Sequence, residues 1–430
     1  MLTPPPVSAA GHPTAVGSQS RSNYLAAGLV SSTAYNDNVL AGSTTGPAVS
    51  DVTYSISPTV SINKATTRQQ LELTYSPGFT FYLHTSTLNT INQNADVNFE
   101  YRLSPHTTVS LSDSLQKNSN AIDQIYPVSG APISGSSQTP PIGVVAPYAD
   151  QLRNTANLAL SYQFARDDMI GASGIFARNN YLDPTEASDF YNSNSLSGSA
   201  FYNHRLSSTR YIGVTYQYSW SQSNPVIAQA NPALSQPEVH THTFSAFYTI
   251  YLNPTLSFSL SSGPQYTVAV QTPSPASSSW TPFVMASIGW QSKHTNIQSK
   301  HTNIQSKPTN IIATYSRTVT GGLGLPGAYT SHSANASVSW QLARTWTVEA
   351  AVSYSNSENI TPNLPSSLPG GQGVSGTASM QHPISEHLNM ELGYTRLRQN
   401  YVGIPAISAA PDSNRAFISI SYQLNRPWGR

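Results

Sequence analysis

Apolar and polar residues alternate one for one along most of the chain. Leu158, Leu160, Tyr162 and Phe164 alternate with Asn157, Ala159, Ser161 and Gln163. Ile212, Val214, Tyr216, Tyr218 and Trp220 do so with Gly213, Thr215, Gln217 and Ser219. The same rhythm carries Val97 to Leu103, Trp346 to Tyr354 and Ala416 to Leu424. A period of two is the signature of a strand with two unlike faces. No stretch shows a helical stripe.

The runs last about ten residues, against about five or six in soluble strands. Connections alternate in length. Short ones are Ser104 to His106, Ala165 to Asp167, Leu206 to Thr209, Asn253 to Thr255, Leu342 to Arg344 and Pro383 to Glu386. Long ones, rich in Pro, Gly, Ser and Asn, are Ser119 to Ala149, Ser223 to Pro237, Thr318 to Ser331 and Ser357 to Gly371. Tight turns at one end and long loops at the other suit a closed barrel crossing a membrane. The expected fold is all-β: a transmembrane antiparallel up-and-down β-barrel of about 18 strands, within about 16–18. Residues 1–22 read as a flexible Pro-rich tail and 23–430 as the barrel. Tandem sandwiches or a propeller are the soluble alternatives.

Composition sharpens this picture. Only 9% of the 430 residues are charged and 38% are hydrophobic, yet there are 24 Tyr, 12 Phe and 6 Trp. A disordered chain of low hydrophobicity is poor in aromatics. A wide barrel needs one face for lipid, one for water and little dry core. Tyr101, Tyr162, Phe164, Tyr251, Trp340, Trp346 and Trp428 fall near strand ends, where interfacial girdles sit. The net charge of +1 gives no field for nucleic acid, and the absence of Cys excludes disulfides and thiolate chemistry. No apolar run reaches the length of a membrane helix. The N-terminus shows no signal-peptide pattern, and the chain as given is expected to be mature, trimmed or started too late.

One repeat is exact: QSKHTNI at Gln291 to Ile297 and Gln298 to Ile304, then QSKPTNI to Ile311. It is expected to be a duplication in a solvated short turn.

The closing segment RAFISISYQLNRPWGR, from Arg415, resembles that of outer-membrane β-barrel proteins of Gram-negative bacteria. IIATYSRTVTGGLGLPGAY, from Ile311 to Tyr329, and SEHLNMELGYTR, from Ser385 to Arg396, are similar to an uncharacterised group of such barrels of porin-like size. The resemblance implies the outer membrane as location. It also implies outer-membrane lipid and the barrel-assembly machinery as partners, the latter reading Ile418, Ile420, Tyr422 and Leu424. A homo-oligomer is compatible with it. It implies no chemistry.

Ionisable residues on the polar face are few. Glu72, Glu100, Arg102, Glu349 and Glu391 lie opposite the apolar face, which makes them candidate lumen-lining groups. His240 and His242 share a face, but two imidazoles lack a third ligand. YNDN, Tyr35 to Asn38, reads as a polar turn rather than a calcium loop. No GxSxG elbow or other catalytic arrangement occurs. No catalytic, cofactor or metal site is expected, and no cofactor. The leading functional expectation is a porin-like passive channel for small hydrophilic solutes, not an enzyme. The alternatives are a structural or polysaccharide-export-associated barrel without an open pore, and a barrel-embedded hydrolase.

Overall fold

The computed structural model describes residues 23–41, 48–125, 145, 149–183, 187, 190–226, 237–271, 274–292, 296–299, 302–305, 309–321, 324–325, 327–343, 345–360, 370–402 and 412–427. The Pro-rich tail and Trp428 lie outside them, as does most of the loops Ser223 to Pro237 and Ser357 to Gly371.

Each run of alternation becomes a strand. The first eleven are β1 (Tyr24–Asn36), β2 (Asp51–Ala65), β3 (Gln69–Tyr82), β4 (Thr90–Ser104), β5 (Thr107–Asn118), β6 (Gln151–Gln163), β7 (Asp168–Tyr181), β8 (Tyr191–Ser207), β9 (Arg210–Pro225), β10 (Glu238–Asn253) and β11 (Leu256–Gln271). Then come β12 (Ser274–Gln291), the short β13 (Asn296–Ser299) and β14 (Thr302–Gln305), and β15 (Asn310–Gly321). The last five are β16 (Ala328–Gln341), β17 (Thr347–Asn359), β18 (Gly370–Pro383), β19 (Leu388–Val402) and β20 (Asp412–Pro427). One short helix, α1 (Ala121–Ile125), follows β5.

Eighteen strands form one antiparallel sheet in which sequence neighbours pair. β1 pairs with β20 from Tyr24↔Pro427 to Asn36↔Arg415, so the sheet closes on itself. Closure removes both edges, which lipid could not hydrogen-bond. An even strand number puts both termini at the end of the short turns, the periplasmic end in barrels of this architecture.

The two faces follow the alternation. Leu158, Leu160, Tyr162 and Phe164 on β6 and its end are all exposed, as are Ile418, Ile420, Tyr422 and Leu424 on β20. They point outward. Large apolar side chains exposed this widely are untenable in water. Trp280 and Trp290 both face outward on β12, ten residues apart. At about 3.3 Å per residue and the usual tilt they stand roughly 25 Å apart in height, the span of an outer-membrane apolar band.

The inner face is polar except where aromatic rings lie flat on the wall. Phe201 covers Gly171, Phe247 covers Gly213 and Phe417 covers Gly393, each glycine being the ring's direct partner on the next strand. A Cβ at any of the three would collide with the ring, which is why these strand interiors tolerate glycine.

Two expectations change. The repeat is no plain turn: its described residues form a separate hairpin, β13 with β14, paired from Asn296↔Gln305 to Ser299↔Thr302. β13 spans the junction of the first and second repeat units and β14 the junction of the second and third, so the duplication supplied the whole hairpin. Thr318 to Ser331 is no surface loop either. β15 runs on to Gly321, β16 begins at Ala328, and their tip lies inside the barrel.

Leu158→Arg puts a charge on the lipid face near mid-strand and should cost about 2–4 kcal/mol, whereas Ala159→Arg enters the lumen and should cost far less. Urea titration of protein refolded into vesicles measures both; equal losses would refute the assigned facing. Deleting Gln291 to Ile304 removes the hairpin and leaves QSKPTNI to join β12 and β15. Loop length acts weakly, at about 0.6 kcal/mol per doubling. The deletion should therefore keep the slower or faster gel mobility that distinguishes folded from boiled barrel.

Candidate channel and the closure of its mouth

A closed barrel, apolar outside and polar inside, has one environment that suits both faces. The chain is an 18-strand closed antiparallel β-barrel with an apolar outer face. Its candidate functional site is therefore the lumen.

The pleat puts the five candidate residues on the face opposite the exposed apolar side chains, each near a short turn. Glu72 on β3 pairs with Asn98 on β4, and Gln70 with Glu100, with Arg102 beyond. Glu100 and Arg102 touch at 3.4 Å and remain about half exposed, so water reaches this wall. Glu349 on β17 pairs with Ser379 on β18, and Gln381 on β18 pairs with Glu391 on β19. The Ser339 hydroxyl donates to Glu349 at 3.4 Å. The five thus form two groups on separate walls.

The extracellular half is different. Inward side chains there are almost sealed: Asn36, Thr241, Thr267, Gln399, Tyr401 and Ser413 are each 3% exposed or less. Two inward-folded elements fill the mouth.

The first is the segment after β5. Asn120 donates to the Tyr82 hydroxyl at 2.9 Å, and the Ser119 N–H donates to Asn92 at 3.3 Å. In α1, Asp123 accepts from Arg415 of β20 at 2.6 Å and from Asn92 of β4 at 3.2 Å. Both members of the Arg415–Asp123 pair are buried. Further on, Gln399 of β19 clasps the backbone of Val145 on both sides. Its amide N–H donates to the Val145 carbonyl at 2.6 Å, and its carbonyl accepts the Val145 N–H at 3.2 Å. Ala41, Ala121, Val145 and Leu397 pack together beside it. This segment thus ties β4 to β19 and β20.

The second element is the β15–β16 tip. The Val319 N–H donates to Gln265 of β11 at 2.7 Å, the Tyr191 N–H to the Gly324 carbonyl at 3.2 Å, and the Ser223 hydroxyl to the Leu325 carbonyl at 3.3 Å. Leu325 sits among Tyr181, Phe190, Tyr329 and Tyr401, which come from widely separated parts of the wall. Gly324 has φ +86, and a Cβ there would stand 2.8 Å from the Tyr181 hydroxyl. Glycine is required at this bend both by conformation and by space.

The remaining sequence candidates find ordinary roles. His240 and His242 face outward and accept or donate at 2.9 Å with the hydroxyls of Tyr218 and Tyr216. No group of three metal-ligating side chains occurs among the described residues. In YNDN, Asn36 accepts the Asn38 N–H at 2.9 Å and Asp37 accepts from Asn414, which makes it a turn tied to β20. The clasps were invisible in the alternation. Alternation assigns a face, whereas Asp123–Arg415 and Val145–Gln399 join positions 292 and 254 residues apart.

No protein-family model matches the chain, and no curated protein does. Solved structures of similar shape include the siderophore receptor PiuA from Acinetobacter baumannii. It is 9% identical with TM-score 0.48, over 94% of this chain and 82% of that one. The ferric-catecholate import receptor Fiu from E. coli K12 is 10% identical with TM-score 0.44, over 93% and 81%. Pseudomonas aeruginosa OccK2 (OpdF), solved with glucuronate, is 9% identical with TM-score 0.41, over 93% and 98%. Likeness this distant carries no inference about cargo.

Truncating one member of a buried ion pair strands the other, at about 3–5 kcal/mol, whereas replacing both by apolar groups is often neutral. Arg415→Met should therefore lower the urea midpoint strongly, and Arg415→Met with Asp123→Leu should recover most of the loss. Equal midpoints for the single and double variants would show that the pair is not buried as described.

Proposed function

We propose that the protein is a passive channel for small hydrophilic solutes whose extracellular mouth is shut at rest. What supports the reading is the inner face: mainly polar, reached by water at the periplasmic end, and blocked by two elements held through long-range polar contacts and three small apolar clusters. Solutes pass when the α1 segment, the β15–β16 tip, or both, move aside. In the open state the two carboxylate-bearing walls attract cations within about a Debye length, roughly 8 Å at physiological salt.

A second reading has its own observation. Sealing of the inward side chains across the whole extracellular half suits a structural or export-associated barrel that never conducts. Planar-bilayer recording separates the two. The channel reading expects rare, brief openings from the wild type, and more frequent ones from Gln399→Ala with Arg415→Ala. It also expects Glu349→Gln with Glu391→Gln to weaken cation preference, chiefly at low salt, with insertion unchanged. Folded barrels that stay silent in both the wild type and the clasp variant would sink the channel and favour the structural reading.

A further inference from the structure

The barrel wall does not close evenly. β12 pairs with β11 along its length, from Trp290 up to Ser274. On its other side it pairs with β15 only from Gln291↔Asn310 to Val284↔Arg317. Among the described residues no strand pairs with Ser274–Phe283 on that side. Above Arg317 β15 turns into the lumen and passes behind its neighbours. Val319 packs against Val239 of β10 and Ala269 of β11, and Gly321 lies against Ser221 of β9. The wall thus overlaps itself and leaves a seam.

Part of this seam lies at lipid depth. Trp280 marks the upper edge of the apolar band, so Thr281 to Phe283 fall below it. Unpaired backbone is not tolerated against lipid unless it is covered or lines a cavity. Pro282 sits there and has no N–H to leave unpaired. The Thr281 hydroxyl is buried without a partner.

The opposite lip carries a cation. Arg317 shares the outward face with its partners Val284 and His332. It forms no ion pair with the described residues, and its Nε is buried without a hydrogen-bond partner. Behind the seam lies a packed apolar cluster of Val239, Ala269, Val319 and Ala328, with Ile360 against it. A slit in the lipid-facing wall, a guanidinium at its lip and an apolar cluster behind it suit one kind of molecule.

We infer that the seam between Ser274–Phe283 and Arg317 is a lateral portal for a single-chain anionic amphiphile. Its headgroup meets Arg317 and its chain enters toward Val239 and Val319. This does not rest on the channel reading, since the route runs through the wall rather than along the axis.

The test uses the folded full chain in phosphatidylcholine vesicles with dansyl-undecanoic acid as probe. Saturable fluorescence enhancement above that of empty vesicles is expected, weakened at least fivefold by Arg317→Gln and unchanged by Lys117→Gln. The chain has no cysteine, so Phe283→Cys with Thr318→Cys, the next positions in register, can lock the seam. Oxidation should cut binding at least tenfold and reduction should restore it. Binding that is absent, or indifferent to Arg317→Gln, overturns the portal, and that variant decides alone if the cysteines do not join. A dimer cross-linked through the free β12 edge would also overturn it, by showing that a second copy occupies the seam.

Discussion

Every peptide group that crosses a bilayer must find its hydrogen-bond partner within the protein. That constraint accounts for the pairing of β1 with β20, for the strand lengths and for the strict alternation. Once the sheet is closed, each residue faces either lipid or lumen with no third choice. The low charge content follows, because the lipid face cannot carry charge cheaply and a water-facing wall can be built from Ser, Thr, Asn and Gln.

Filling the mouth is a different physical problem. Apolar clusters and a few long-range polar contacts hold the closure, among them a buried charge pair, Arg415–Asp123. Such a pair adds little net stability over an apolar replacement, yet breaking it is costly. It therefore acts as a specificity device: it fixes where α1 rests without making the closed arrangement very deep. The Gln399–Val145 clasp works similarly, since an amide can satisfy both backbone groups of one residue only at one position. A closure built this way is well defined and also removable.

The two inward-folded elements are not equivalent. The segment after β5 is an insertion between two complete strands and leaves the wall intact. The β15–β16 tip is part of the wall. Drawing it inward fills the lumen at the expense of β12's upper edge, and the prolines at 275 and 282 lie along that uncovered edge. Closure along the axis and opening through the side are thus coupled in one hairpin.

By itself, the sequence determined the all-β barrel, a count of about eighteen strands and the two-faced alternation along each of them, and it put Glu72, Glu100, Arg102, Glu349 and Glu391 on the polar face as candidates. All of these follow from a local period of two, which a single strand displays without reference to its neighbours. Only the tertiary structure decided that the described residues of the β15–β16 tip lie in the lumen and that Asp123 meets Arg415. It alone revealed that β12 and β15 part company above Arg317. A residue's face is set by its own strand, but the depth of an inward fold depends on what waits on the far wall. Tyr401, Gln399 and Arg415 carry that information from hundreds of residues away, where no local pattern records it.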